Sequence, residues 1–452
     1  MRNRTRTLIR IGAATAALAM VPVESYVTGT PATQQAAADS VVPDSWRGPT
    51  AYLTAAYGLS DQQAVKRLEM QEDALQLNRK LRTTQQGTYA GMKLDMAKGV
   101  VHVRSTQPDK ARAAAGRLAF GTVRFDKVAK PEKPVAEASA TKVKAPDAAP
   151  APSQDRCNPL NCASPLRSGV RLDGERDRGE GHYPFGGCTL GFTVHKKGSD
   201  RKYLLTAGHC YYSYGDDGTH NAKKERAWHN GLEVGEEGTS DGSYGHSSQA
   251  DHNSNDPHNL WDSNTWTTPD YAMIPVQNES FWFGDSAQRT PGLLTAYGDC
   301  KDKTDDGYDC RLNSTLEITG TDSQPPEGTA VCQQGTAEAG SKGTHAPNGW
   351  KPGQRCGEVL DTGELVVTNI CTAFGDSGGP LYISGKNNTA TAVGILSDGA
   401  QAKDGYEKCD TVTHGEGPAG TWGKVASWYW SIGYILGHEK YDYDNEFLLY
   451  TR

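Results

Sequence analysis

Aromatic side chains are scarce, only 8% of the 452 residues. From residue 154 onward no apolar run reaches membrane-spanning length. The same stretch holds 25 Lys and Arg against 41 Asp and Glu, so no basic stripe for nucleic acid survives there. Residues 40–153 reverse the balance, with 18 basic against 11 acidic side chains. Neither a nucleic-acid nor a membrane partner is expected. What the chain has instead is 51 glycines and 23 prolines, which suit a turn-rich, mainly β protein. Ten cysteines, an even number, point to an oxidising compartment and up to five disulfides.

Taken in order, residues 1–38 read as a secretory signal peptide. Arg2, Arg4, Arg6 and Arg10 form its positive start and Ile11 to Val23 a short apolar core, with cleavage expected after Ala38. Pro22, Glu24 and the shortness of the core argue against a membrane anchor. Residues 39–126 hold a small α+β unit, its regular elements lying from about residue 50. Ser60-Asp61-Gln62-Gln63 is a capping-box pattern. On the helix it opens, Ala64, Val65, Leu68 and Leu75 share one side, and Met70, Ala74, Leu77 and Leu81 another, so this helix should pack against two neighbours. Gly99-Val100-Val101-His102-Val103 reads as a strand. Residues 127–155, rich in Lys, Pro and Ala, read as an extended, protease-accessible linker where maturation should cut.

Residues 156–452 carry the chemistry. Short strand-like runs recur between turns at Cys188 to Val194, Tyr203 to Thr206, Tyr271 to Ile274 and Ala392 to Leu396, which argues for an all-β barrel or sandwich. Val425, Trp428, Ile432, Ile435 and Leu436 recur at helical spacing, and Trp422, Trp428 and Trp430 read as core. Gly375-Asp376-Ser377-Gly378-Gly379-Pro380 places a serine where glycines permit a sharp turn and close approach to a substrate. A hydroxyl needs a general base, and Leu204-Leu205-Thr206-Ala207-Gly208-His209-Cys210 delivers a histidine. Asp270, in Pro269-Asp270-Tyr271-Ala272, could orient it.

With Thr-Ala-Gly-His-Cys and Gly-Asp-Ser-Gly-Gly-Pro in one chain, the sequence resembles the chymotrypsin-like serine proteases, and more narrowly the bacterial streptogrisin and alpha-lytic protease group. Tyr52-Leu53, Tyr57-Gly58-Leu59-Ser60, Arg67-Leu68 and Gln71 are similar to the pro-regions of that group; an unrelated helical module is the alternative. The resemblance implies an all-β catalytic part of two six-stranded Greek-key barrels with a C-terminal helix, preceded by the α+β pro-region. It also implies catalytic residues: Ser377 as nucleophile, His209 as base, Asp270 as its orienter, and the N–H groups of Gly375 and Ser377 as oxyanion hole. Each alone has an ordinary reading as a turn or core residue; their order and motifs together carry the assignment.

Three disulfides follow from the resemblance: Cys188–Cys210, Cys332–Cys356 and Cys371–Cys409. Cys157, Cys162, Cys300 and Cys310 remain, with three pairings possible and Cys157–Cys162 plus Cys300–Cys310 favoured. Asp376 corresponds to a buried acid that needs a cation. Relatives often place an arginine near the position that here is Gln333, so its partner is open. The specificity-pocket walls correspond to Ile370 and Thr372 on one side and Ser397, Asp398 and Gly399 on the other. With Asn369 or a neighbour at the base and Leu396 where a glutamate-selecting relative has histidine, apolar or aromatic side chains are expected to be preferred. Asp398 on the rim is the feature that could instead recruit a basic side chain.

Two acidic stretches, 246–262 and 300–310, could bind calcium but match no EF-hand spacing, and solvated loops are the expectation. No cofactor and no metal site are expected. The expected protein is a secreted, monomeric endopeptidase acting on protein or peptide substrates, with its own pro-region as partner. The alternatives are a serine esterase, since Gly-x-Ser-x-Gly is also satisfied, and an inactive protease-like binding protein.

Overall fold

The computed structural model describes residues 42–117, 119, 121–131, 140–142, 157–162, 166–177, 182–199, 201–211, 225–236, 270–283, 292–298, 303–304, 307–308, 311–337, 351–399, 427–437 and 447–452. The signal segment, the stretch 246–262, Cys300, Cys310, Cys409 and Trp422 lie outside them.

The N-terminal part folds as its pattern dictates. Helix Arg47–Tyr57 ends where Gly58 turns left-handed at φ 64°. Helix Asp61–Thr84 opens at Ser60, whose side chain accepts from Gln63 N–H while the Gln63 side chain accepts from Ser60 N–H. Strands Tyr89–Asp95 and Val100–Ser105 pair antiparallel. Helix Pro108–Ala115 then leads to strand Thr122–Lys127, parallel to Val100–Ser105. The long helix packs two ways but not with the expected division, since Ala64 and Leu68 share one core with Met70, Ala74, Leu77 and Leu81. Leu68, Met70, Leu77 and Leu81 close a core with Leu53, Met92, Val101 and Val103. Leu75 instead enters a second cluster with Val331, Val359, Leu381 and Ile383.

That second cluster belongs to a closed ring of six strands. In spatial order they are Thr389–Gly399, Pro380–Gly385, Ala330–Gly335, Gly353–Thr362, Leu365–Thr368 and Ser427–Ser431, which pairs back onto Thr389–Gly399. All six pairings are antiparallel. Closure leaves no free edge within the ring. Strand Arg311–Thr321 joins it in parallel, and Leu293–Gly298 pairs with that strand.

Earlier in the chain, Arg171–Asp177 pairs with His182–Thr189 and Glu225–His229, and the latter with Leu232–Glu236. A neighbouring sheet runs Ala272–Pro275, Lys202–Thr206, Phe192–Lys196, Phe447–Thr451, Ala140–Lys142. A bridge between Gly235 and Val276 links the two sheets. The linker thus contributes one extended piece, Ala140–Lys142, which pairs with the last strand.

One expectation is corrected. The helical spacing up to Leu436 is not one helix among the described residues: Ser427–Ser431 is a strand, helix Ile432–Gly437 follows it, and Phe447–Thr451 is again a strand. Trp428, Tyr429 and Trp430 are buried between two partner strands. A run apolar on both faces has no readable period, and aromatic residues favour strands. Trp428 and Trp430 are core, as expected.

Candidate active site

His209 leaves the apolar strand Lys202–Thr206 in a single tight turn, Gly208–Cys210, and the Cys188–Cys210 disulfide ties that turn to the neighbouring strand end. The pairing of Thr206 with Ala272 brings Asp270 alongside. Gly208 is required there, because a Cβ would stand 2.9 Å from Asp270 Oδ1 and 3.0 Å from the Tyr271 carbonyl. His209 donates to Asp270 twice: the backbone N–H to Oδ1 at 2.8 Å, and ring Nδ1 to Oδ2 at 2.7 Å. Ser397 Oγ donates to the same Oδ2 at 2.7 Å. With the proton on Nδ1, Nε2 is the ring atom left to accept another.

Burial opposes the charged form of both partners. Their mutual attraction and hydrogen bonds outweigh it, so the Asp270 carboxyl titrates below its ordinary range and the His209 imidazole above its own. The Asp398 carboxylate adds to the upward push on His209.

Ser377 lies in a turn bounded by Gly375 at φ 107° and Gly378 at φ 80°, values that favour glycine. The Gly375 carbonyl accepts from Thr189 Oγ1 at 2.9 Å, and the Ser377 carbonyl from Thr189 N–H at 2.8 Å. A Cβ on Gly378 would stand 2.0 Å from Thr206 Oγ1 and 2.8 Å from Ala207 N. The serine turn is therefore pressed against the segment that delivers His209, two residues on from Ala207.

Asp376 points the other way, fully buried, accepting from Ala337 N–H at 2.9 Å and Ala373 N–H at 3.0 Å. Its cation is Arg355, whose Nη1 lies 3.5 Å from Oδ2. Burial raises the Asp376 pKa despite Arg355 and the donated N–H groups. Arg355 is the direct cross-strand partner of Gln333.

The expected pocket walls also lie together. Ser427 Oγ donates to the Ile370 carbonyl at 2.6 Å and bonds Thr372 Oγ1 at 3.0 Å, while Gly399 pairs with Ser427. A Cβ on Gly399 would stand 2.3 Å from Thr372 Oγ1, so the two walls meet there. Asn369 Oδ1 accepts from Glu358 N–H at 2.8 Å, and its Nδ2 donates to Tyr52 Oη at 3.1 Å. Ser397, expected as pocket wall, turns its hydroxyl to Asp270 instead, a role its sequence position did not reveal. Disulfides Cys188–Cys210 and Cys332–Cys356 are present as expected. Cys162 and Cys371 are also disulfide-bonded; their partner side chains lie outside the described residues.

Among the described residues, one group of metal-type side chains clusters: Cys188, His209 and Cys210. Its two sulfurs form a disulfide and have no thiolate to offer an ion.

No protein-family model matches this chain, and no curated protein matches it. Solved structures that it is similar to include Protease A of Thermobifida fusca, 17% identical, covering 63% of this chain and 98% of the other at a TM-score of 0.29. Another is protease Anisep of Arthrobacter nicotinovorans, 15% identical, covering 59% and 91% at 0.29. A third is the thermostable serine protease AL20 of an extremophilic microorganism, 13% identical, covering 59% and 93% at 0.28. Likenesses this slight carry no weight for activity.

Proposed function

We propose that this chain is the precursor of a secreted serine endopeptidase. The observation that carries the reading is the double hold of Asp270 on His209, with the glycine-bounded turn of Ser377 pressed against the same segment. In this mechanism Ser377 Oγ attacks the scissile carbonyl carbon while His209 Nε2 takes its proton. Asp270 keeps the other ring proton on Nδ1 and stabilises the imidazolium. The Gly375 and Ser377 N–H groups receive the oxyanion. His209 returns the proton to the leaving amine, an acyl-enzyme remains, and water repeats the sequence in reverse to release the acid.

The expected second six-stranded barrel is the reading we give the two linked sheets, built from strands within residues 171–275 together with Phe447–Thr451 and Ala140–Lys142. We assign residues 39–126 as a pro-region because they interlock with the catalytic part through specific polar groups. Gln71 bonds both backbone groups of Ala330, Arg82 Nη2 donates to the Gln324 carbonyl at 2.7 Å, and Tyr57 donates to Glu358. The disulfides suit an oxidising, extracellular location. Phe374, 47% exposed three residues before Ser377, favours apolar substrate side chains.

A phosphonylating reagent directed at activated serines should label Ser377 in the mature protein, and peptide substrates should be cut faster than simple esters of matching side chain. Failure to label sinks the enzyme reading. Labelling with ester turnover but no peptide cleavage leaves an esterase.

A further inference from the structure

A polar cluster that the proposed reaction does not use lies where residues 166–170 run beside strand Leu293–Gly298. Ser168 bridges to Leu294, its N–H donating to the Leu293 carbonyl at 2.9 Å while its carbonyl accepts from Thr295 N–H at 3.2 Å. This fixes the neighbouring Arg167, only 4% exposed, with Nη1 donating to Thr315 Oγ1 at 3.1 Å. Thr315 in turn sits directly across from Thr295 on the paired strand. Tyr297, fully buried, and Arg452 both lie close enough to Arg167 to act on its charge.

The charges there do not balance. Arg452 has a carboxylate, Glu317, with its Oε1 3.7 Å from Nη1. Arg167 has none within ion-pair reach among the described residues, and a guanidinium cannot shed its proton. Tyr297 cannot supply the missing charge, because burial holds its hydroxyl well above the ordinary phenol range and therefore neutral.

The hydrogen-bonding groups tell the same story. Arg167 Nε and Ser168 Oγ are buried with no hydrogen-bond partner among the described residues, while the buried hydroxyls of Thr295 and Tyr297 have no partner but each other. Every one of these groups can donate, and a buried cation left uncompensated is costly. A water molecule could satisfy some of the donors but leaves the guanidinium charge unbalanced. The geometry points to a buried site for one small monovalent anion of the halide class, held by Arg167 Nε and the hydroxyls of Tyr297 and Thr295. The site is independent of the protease reading.

The test uses the full chain at constant ionic strength, with chloride replacing gluconate stepwise while the unfolding temperature is followed. Crystals grown in bromide locate the ion by anomalous scattering. The unfolding temperature should rise saturably with chloride, and bromide should sit within hydrogen-bond distance of Arg167 Nε. Tyr297→Phe should raise the half-saturating chloride concentration about tenfold, the effect of losing one bond to a charged group. Arg167→Met should abolish the chloride dependence; if that variant does not fold, Thr295→Val takes its place with a tenfold shift expected. An unfolding temperature indifferent to chloride, no bromide at Arg167, or an unshifted half-saturation in Tyr297→Phe would each overturn the proposal.

Discussion

Gln333 and Arg355 face each other across two antiparallel strands, and it is Arg355 that reaches the buried carboxylate of Asp376. The cation expected at one position is supplied from the opposite strand, with Cys332–Cys356, one pair along, locking the register. Arg355→Met should cost about 3–5 kcal/mol, because it removes the cation that offsets the burial of the Asp376 carboxylate. Moving the guanidinium back across the ladder, as Gln333→Arg with Arg355→Gln, should recover part of that loss. Thermal unfolding of the three proteins decides it, and an unchanged midpoint in Arg355→Met refutes the pairing.

Ser377→Ala or His209→Ala should lower turnover on the order of 10⁶-fold. Asp270→Asn should cost about 10⁴-fold through the wrong tautomer. Ser397→Ala removes one bond to the Asp270 carboxylate and should cost roughly tenfold in kcat. Peptide hydrolysis measures all four, and wild-type rates in any of the first three remove the basis of the mechanism.

Acidification should silence the enzyme as His209 takes up a proton. Since burial is outweighed by Asp270, with Asp398 adding, this limb should lie above the ordinary histidine value of about 6.5. Asp398→Asn removes a charge that favours imidazolium, so the limb should move to lower pH. The raised His209 pKa stabilises the fold below about pH 6.5, and that contribution fades as pH rises through the folded value. The lowered Asp270 pKa stabilises it above about pH 3.9, and that contribution fades on acidification. A pH–rate profile that Asp398→Asn leaves in place contradicts the assignment.

Peptides with Phe, Tyr, Leu or Met before the scissile bond should be cut at least about tenfold faster than those with Glu, whose carboxylate would be buried without a cation. Sequencing the peptides released from a denatured protein mixture reads this directly. A preference for Arg or Lys would assign Asp398 to the pocket, and Asp398→Asn should then reverse it.

Residues 156–452 alone should not refold to activity, and residues 40–126 added as a separate chain should restore it, less well as salt rises. Slow folding of non-local β pairings supplies the motive. The contacts supply the salt dependence: Arg79 and Arg82 lie 3.9 and 3.8 Å from the buried Asp322, and Arg104 lies 2.9 Å from Glu327. Efficient unaided refolding would refute the assistance, and rescue indifferent to salt would refute only its electrostatic part.

Local signals were legible wherever one physical rule acted alone. The Ser60 capping box was read residue by residue, whereas the split of its helix's apolar positions was not, since Leu75 alone leaves the core that Ala64 and Leu68 share with Met70. The strands around Tyr203, Tyr271 and Ala392 were read from β-rich runs between turns. Reading failed where burial was two-sided, as at Trp428 to Trp430, since nothing polar marks a face. Arg355 was within reach: a Cys332–Cys356 bridge on antiparallel strands puts residue 333 opposite residue 355. The hydroxyl of Ser397 was not, because its direction depends on how two distant segments pack.

The pairing of Phe447 with Lys196 also sets a schedule for synthesis. The early sheet cannot receive this strand until residues 447–451 have left the ribosome, on the order of tens of seconds after Phe192–Lys196 emerges. Until then Val194, whose partner is Leu449, presents an incomplete edge. A nascent chain stalled short of residue 447 would hold His209 and Ser377 in one polypeptide and still lack a finished first half.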